Sequence, residues 1–273
     1  MQEHILKGTE ITLNKKAAIS SPIGSASCAV RRGHEVCGDS AFLYCDDDNL
    51  IFGVFDGVSG EPGADRASSA AAAEILRILK GLKSPGEKGM REALTAAHAS
   101  LTDGYTTALV VFVGKDGRFV AASVGDSSLY SIDIKGNISL EMPLGRIVKE
   151  GDTIFRFMKF RNIVKSVIGW NAGGMEIQMQ RGKLSAGEIL ILSSDCLPDN
   201  LEIEVSEFNV EDASGTRDLK GIIGRSRSPE KILDKIYKEI RGRMSLGGRK
   251  LRGQFILEPK LDDLAILVFK YLG

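Results

Sequence analysis

The stretch 50–60, LIFGVFDGVSG, limits the folds open to this chain more than any other. An apolar run leads into Asp56 and then into Gly57, Val58, Ser59 and Gly60, the pattern of a buried strand that stops in a tight turn. A carboxylate at such a point is held by a rigid element yet faces a cleft, and Gly57 lets a ligand approach the backbone. Asp-Gly alone is also an ordinary turn. The pattern recurs, however: VAASVGD at 120–126, EILILSSD at 188–195 and LDDLAILVF at 261–269 each place an Asp at one end of an apolar, strand-like run. Four strand ends each offer a carboxylate.

The segments between these runs read as layered α+β structure. Residues 41–45 and 50–55 form a hairpin across the acidic tip 46–49, and 25–32 alternates as a strand. The alanine-rich run 62–80 predicts a helix whose stripe of Ala71, Ile75, Leu76 and Leu79 packs closely on a sheet, and 86–101 predicts a second helix. Then the period changes. Residues 106–113, 118–124 and 127–134 read as three successive strands of an antiparallel meander. Short strands are expected at 10–13, 153–157, 163–168, 175–180 and 188–193, and a polar surface excursion at 198–227. A helix starts at Ser228 as cap and Pro229 as first residue, and a strand at 264–271 closes the chain.

With 273 residues and no low-complexity tract, proline-rich linker or internal repeat, 1–273 reads as one domain. Lys plus Arg equals Asp plus Glu at 36 each, so no global field favours polyanions, and nucleic acid is not an expected partner. The opening residues MQEHILKGTEITLNKK lack the apolar core of a secretory signal, and no run approaches the roughly 20 apolar residues that span a bilayer. A cytoplasmic protein without a membrane partner is expected. Cys28, Cys37, Cys45 and Cys196 show no Cys-x-x-Cys pair and no His at zinc-ligand spacing, so they read as reduced, mostly buried thiols.

If Asp56, Asp195 and Asp262 converge, their charges cannot all persist without compensation, so raised pKa values or bound cations must follow. Oxygen-only ligands favour hard ions such as Mg²⁺ or Mn²⁺ over Zn²⁺. Two such ions activate water near neutral pH without a covalent enzyme intermediate. His4, His34 and His98 are the only histidines, and no Gly-x-Ser-x-Gly elbow accompanies them, which argues against a Ser-His-Asp mechanism. No Gly-x-x-x-x-Gly-Lys-Ser/Thr loop appears either. Metal-assisted hydrolysis survives the elimination.

The stretches VCGDS (36–40), VFDGVSG (54–60), TTA (106–108), VGDS (124–127), SSD (193–195) and DDLA (262–265) occur in the order found in the metal-dependent protein phosphatases. The chain resembles this PPM, or protein phosphatase 2C, superfamily from about residue 25 to 271, in the style of its bacterial regulatory serine phosphatases. The resemblance implies a four-layer α-β-β-α sandwich of two antiparallel sheets, with a dinuclear Mn²⁺ or Mg²⁺ site at one edge. It implies that Asp56 bridges both ions, that the Gly57 carbonyl reaches one of them, that Asp195 and Asp262 complete the first shell, and that Asp39 serves the second. Asp126 is implied at a looser third ion, and Arg31 or Arg32 at the phosphate, through the bidentate fork of a guanidinium. The implied partner is a phosphorylated protein.

Val58 stands where eukaryotic members carry a histidine, Cys196 replaces a glycine, Ala265 a Thr or Ser, and Gly38 a frequent Glu. These departures motivate a second reading, a catalytically weak or inactive pseudophosphatase that binds a phosphoprotein. A third is a two-metal hydrolase of small phosphate esters. His34 and His98 read as surface or helix-face residues, and Cys196 as a packing residue. The basic set Arg225, Arg227, Arg241, Arg243, Arg249, Lys250 and Arg252 reads as a solvated face, with steering of a phosphoprotein as the alternative.

Overall fold

Apolar runs broken by Gly and Asp dictate the strands, and alanine and leucine stripes dictate the helices. The computed structural model describes residues 1–84, 86–169, 174–246, 249–250, 256–257 and 260–273. In chain order, strands β1 (Gln2–Leu6), β2 (Asn14–Ser20), β3 (Gly24–Arg31), β4 (Ser40–Cys45) and β5 (Asn49–Phe55) lead to helices α1 (Ala64–Leu79) and α2 (Glu87–Ser100). Strands β6 (Ala108–Gly114), β7 (Arg118–Val124), β8 (Ser128–Ile132) and β9 (Ile138–Leu140) follow, then α3 (Ile154–Phe160), β10 (Gln178–Lys183) and β11 (Ile189–Ser193). A short helix α4 (Cys196–Asp199), the ribbon β12 (Glu204–Ser206) and β13 (Asn209–Asp212), α5 (Thr216–Ile223), α6 (Pro229–Leu246), the pair β14 (Arg249–Lys250) and β15 (Ile256–Leu257), and β16 (Leu264–Tyr271) complete the chain.

Two antiparallel sheets result, one in the order β1-β4-β5-β6-β7-β10 and the other β2-β3-β16-β11-β8-β9. Period-two alternation assigns the faces. Along β4 and β5, Leu43, Cys45, Leu50 and Phe52 turn toward the second sheet, while Phe42, Tyr44, Ile51 and Phe55 turn toward α1 and α2. The central layer joins Leu43, Phe52, Leu109 and Val111 of the first sheet to Val30, Leu190, Leu192 and Leu267 of the second. Phe52 and Phe269 meet across it with ring centroids 5.1 Å apart. On the far side of the second sheet, Ile232, Leu233, Ile236 and Ile240 of α6 pack on Ala29, Ile266 and Val268. The expected α-β-β-α layering is what the chain adopts.

Four expectations about elements are corrected. β6 and β7 pair, but β8 does not extend their meander: it crosses into the second sheet, between β11 and β9. Residues 153–157 start a helix, because the Thr153 side chain accepts the Arg156 N–H (3.3 Å) and caps its first turn. The strand expected at 10–13 is replaced by a 3₁₀ turn at Gly8–Glu10 between β1 and β2. Residues 163–168 contribute only isolated bridges, Val164 to Arg146 and Ile168 to Thr106. The hairpin β4–β5, both helices that follow it, and α6 stand where expected, with Ser228 Oγ accepting the Lys231 N–H (3.5 Å). The polar stretch 198–227 forms the end of α4, the β12–β13 ribbon and α5. Trp170, Gly247, Gly248 and Arg252 lie outside the described residues. Among the described residues no helix is long and apolar enough to cross a membrane.

Candidate metal centre

β5 delivers Asp56 to one end of the first sheet, and the two threonines that lead into β6 clamp it there. Thr107 N–H (2.7 Å) and Thr106 Oγ1 (3.0 Å) both donate to the Asp56 carbonyl, and the Asp56 N–H donates to Thr107 Oγ1 (3.3 Å). Gly57 follows because nothing larger fits: an added Cβ lies 2.5 Å from the Ala64 carbonyl oxygen and 2.7 Å from that of Gly38. Asp126 is placed by the crossing between sheets. Gly125 turns the chain with φ +100°, and Ser127 Oγ meets Thr107 Oγ1 at 3.0 Å, so the hydroxyl that holds Asp56 also fixes the Asp126 turn.

The second sheet supplies the remaining carboxylates. Ser194 N–H donates to the Ala265 carbonyl (3.0 Å) and Ala265 N–H to Ser194 Oγ (3.1 Å), which sets Asp195, after β11, beside Asp262, before β16. Asp263 accepts the backbone N–H groups of Gly33 (2.5 Å), His34 (3.2 Å) and Gly38 (2.5 Å), and so draws in the loop that ends in Asp39. One oxygen each from Asp56, Asp126 and Asp195 lies within 4.8 Å of the others. These three and Asp262 line one cleft of about 280 Å³, with Val58 and Thr107. Residues spread from 56 to 262 converge.

Among the described residues, Arg146 and Lys260 bring positive charge into the cluster. The Arg146 guanidinium, buried to 3% exposure, donates from Nε to Asp126 Oδ2 (3.0 Å) and from Nη1 to Asp199 Oδ1 (2.5 Å). The Lys260 ammonium contacts Asp195 Oδ2, lies 2.8 Å from Asp262 Oδ2 and 3.5 Å from Asp199 Oδ2. They do not suffice. Burial, with the charges of Asp195, Asp39 and Asp262, pushes the Asp56 carboxyl well above the usual carboxylate range. Asp39 is raised likewise by burial, Asp263 and Asp262, and burial lifts Asp126 to about 7 against the pull of Arg146. Burial and Asp195 raise Asp262 in spite of Lys260. Asp195 goes the other way: burial opposes its charge, but Lys260 and Arg146 outweigh burial and hold it below its ordinary value.

Asp39 Oδ2, Asp126 Oδ1 and Asp195 Oδ1 are buried with no hydrogen-bond partner. Orphaned carboxylate oxygens at this depth are costly, and further positive charge would satisfy them. Oxygen donors alone at Asp56, Asp126 and Asp195 suit a hard divalent ion, so the residues fit the ion expected from the sequence.

The other sequence-predicted positions divide. Arg31 ends β3 opposite Leu264, and Arg32 donates from Nη1 to the Glu35 carbonyl (3.1 Å); neither lines the Asp56 cleft. His34, expected at the surface, is 44% exposed, yet its Nδ1 lies 3.4 Å from Asp262 Oδ1. His98 accepts the Gly169 N–H (3.1 Å) from the face of α2, and Cys196 is fully buried. In the basic set, Arg243 pairs with Asp218 (2.5 Å) and Glu239 (2.7 Å), and Arg227 donates to the Asp133 carbonyl (3.1 Å). The side chains of Arg249 and Lys250 lie outside the described residues. Sequence reasoning missed Arg146, Asp199 and Lys260. The legible signals were the spacing of Asp199 four residues after Asp195, one helical turn, and of Lys260 two before Asp262.

No family model matches the chain, and no curated protein matches it. Solved structures do. RsbX in complex with magnesium is 15% identical, covers 94% of this chain and 100% of its own, and superposes with a TM-score of 0.62. The PPM Ser-Thr phosphatase MsPP from Mycobacterium smegmatis, in complex with cacodylate, is 14% identical over 96% of this chain and 99% of its own, TM-score 0.61. The photosystem II phosphatase PBCP is 19% identical over 94% and 97%, TM-score 0.62.

Proposed function

We propose that this chain, which has the fold of the PPM phosphatases, is a metal-dependent phosphoserine/phosphothreonine protein phosphatase. The observation that carries the reading is the convergence of Asp56, Asp126, Asp195 and Asp262 from four strand ends on one cleft, with buried carboxylate oxygens left unpaired. Asp56, Asp195 and Asp262 would hold a first Mn²⁺ or Mg²⁺, Asp56 and Asp39 a second, the Gly57 carbonyl would reach one of the two, and Asp126 would serve a third. Bound there, such ions supply positive charge for the phosphoryl oxygens and lower the pKa of water.

The chain's own residues set the rest. Thr106 and Thr107 fix the Asp56 backbone, and Ser194 fixes Asp195 against β16, so the carboxylates are oriented before substrate arrives. Val58 puts an apolar side chain on the cleft wall and offers no proton to a departing alkoxide. Arg31 or Arg32 is proposed to meet the phosphate from the end of β3. We take 1–273 as one catalytic domain acting in the cytoplasm on phosphorylated proteins, in keeping with the serine/threonine phosphatases whose fold it shares.

The test is hydrolysis of p-nitrophenyl phosphate and of phosphoserine peptides with Mn²⁺ or Mg²⁺. Turnover is expected to vanish with chelator and to fall by at least about 100-fold in Asp56→Asn, the loss of a direct ligand exceeding that of an outer-shell partner. Turnover with peptides well above that with small esters supports a protein substrate. Activity indifferent to divalent ions overturns the reading. The second reading, a pseudophosphatase, is favoured by one observation: Lys260 and Arg146 already place cations among the carboxylates. Calorimetry that shows no Mn²⁺ binding, together with absent turnover, decides for it.

A further inference from the structure

The two internal cations are built differently. Arg146 is sealed in, 2% exposed at its side chain, with Nε and Nη1 on two carboxylates at once. Lys260 has 16% of its side chain exposed, lines the same open cleft as Asp56 and Asp195, and reaches the carboxylates through a single ammonium on a flexible four-carbon stem. Its Nζ sits on Asp195 Oδ2 and Asp262 Oδ2, carboxylate oxygens of two residues expected to hold the first metal ion.

We propose that the Lys260 ammonium is a tethered stand-in for the first metal ion, seated on Asp195 and Asp262 in the metal-free protein and expelled into the cleft when a divalent ion binds. The inference rests on the reading of the cluster as a metal centre. A compact ammonium and a small divalent cation ask the same thing of these oxygens, negative charge at short range, and both cannot sit on Asp195 Oδ2 and Asp262 Oδ2 together. Lys260 leaves Asp39 Oδ2, Asp126 Oδ1 and Asp195 Oδ1 unpaired, so it serves one position and not the whole site. Metal binding is therefore an exchange of one cation for another. Affinity is lowered by the contacts that Lys260 gives up, and in return the metal-free cluster is not left bare.

Calorimetric titration of MnCl₂ into the wild type, Lys260→Met and Lys260→Arg tests the exchange. Loss of a charge-assisted contact corresponds to an affinity change of at least about tenfold, so Lys260→Met is expected to bind Mn²⁺ at least about tenfold more tightly than wild type, while Lys260→Arg stays weak. Metal-free Lys260→Met is expected to melt below the metal-free wild type, with the gap closing at saturating Mn²⁺. A second readout uses the wild type alone: labelling of Lys260 by an amine-reactive reagent, followed by peptide mass spectrometry, is expected to rise several-fold when Mg²⁺ is added. Equal or weaker Mn²⁺ binding in Lys260→Met, or labelling unchanged by an ion that calorimetry shows to bind, overturns the exchange and leaves the metal centre standing. No Mn²⁺ binding by any of the three proteins overturns both.

Discussion

Asp126 has one oxygen on the Arg146 guanidinium and the other buried without a partner. Its carboxyl is raised from 3.8 to about 7 by burial, and the folded state therefore favours the protonated form. The stability this group contributes is complete below pH 4 and is lost as the pH climbs through 7, because the unfolded chain ionises first. Asp39 and Asp56 are shifted in the same direction and Asp195 in the opposite one, so the cluster on balance opposes folding as its protons leave. In chelator, the melting temperature is expected to fall between pH 4 and pH 7.5, and Mg²⁺ to restore it most at the upper end. A melting temperature that climbs steadily across that range would show the carboxylates to be compensated already. Asp56, Asp126 and Asp195 were legible because each ends an apolar run, whereas Asp39 was reached only through the resemblance. Arg146 was not, since its ion pair with Asp126 is made by folding and leaves no periodic trace in the sequence, and Lys260 offered only its spacing two residues before Asp262.

Among the elements, the passage from β7 to β8 is the one on which the cleft turns. A strand pattern states that a segment is extended and half or wholly buried, and says nothing about which sheet it joins, so a meander was the reading of three neighbouring runs. The structure sends β8 to the other sheet through Gly125, whose φ of +100° suits glycine, and an added Cβ there lies 2.6 Å from Thr107 Cγ2. Gly125→Ala is expected to cost about 1–3 kcal/mol in urea unfolding and to weaken Mn²⁺ binding, because the displaced Thr107 also holds Asp56. Unchanged stability and affinity would mean that the turn adapts without moving Thr107. The α3 segment failed for a related reason: the apolar residues of IFRFMKF satisfy a strand as well as a helix, and the Thr153 cap decides between them. Helices α1 and α6 were legible because their apolar stripes run long enough to exclude the alternative.

At the scale of the molecule, Phe52 and Phe269 lie at the centre of the layer that joins the sheets, both fully buried. Phe52→Ala is expected to lower unfolding free energy by about 3–5 kcal/mol in denaturant titration while helical circular dichroism is retained. A loss under about 1 kcal/mol would show that the layer collapses around the gap. The same layer governs the cleft, since Asp56 follows a strand of the first sheet, Asp195 and Asp262 flank strands of the second, and Asp126 sits in the turn by which the chain passes from β7 of the one to β8 of the other. With an ion bound as proposed, the arrangement would work as a caliper: the sheets are its jaws, and the gap it would gauge is the width of the ion's coordination sphere. A slip of one jaw by a fraction of an ångström would reset several carboxylate spacings together, so any preference for one ionic radius would be a property of the tertiary stack and not of any single aspartate.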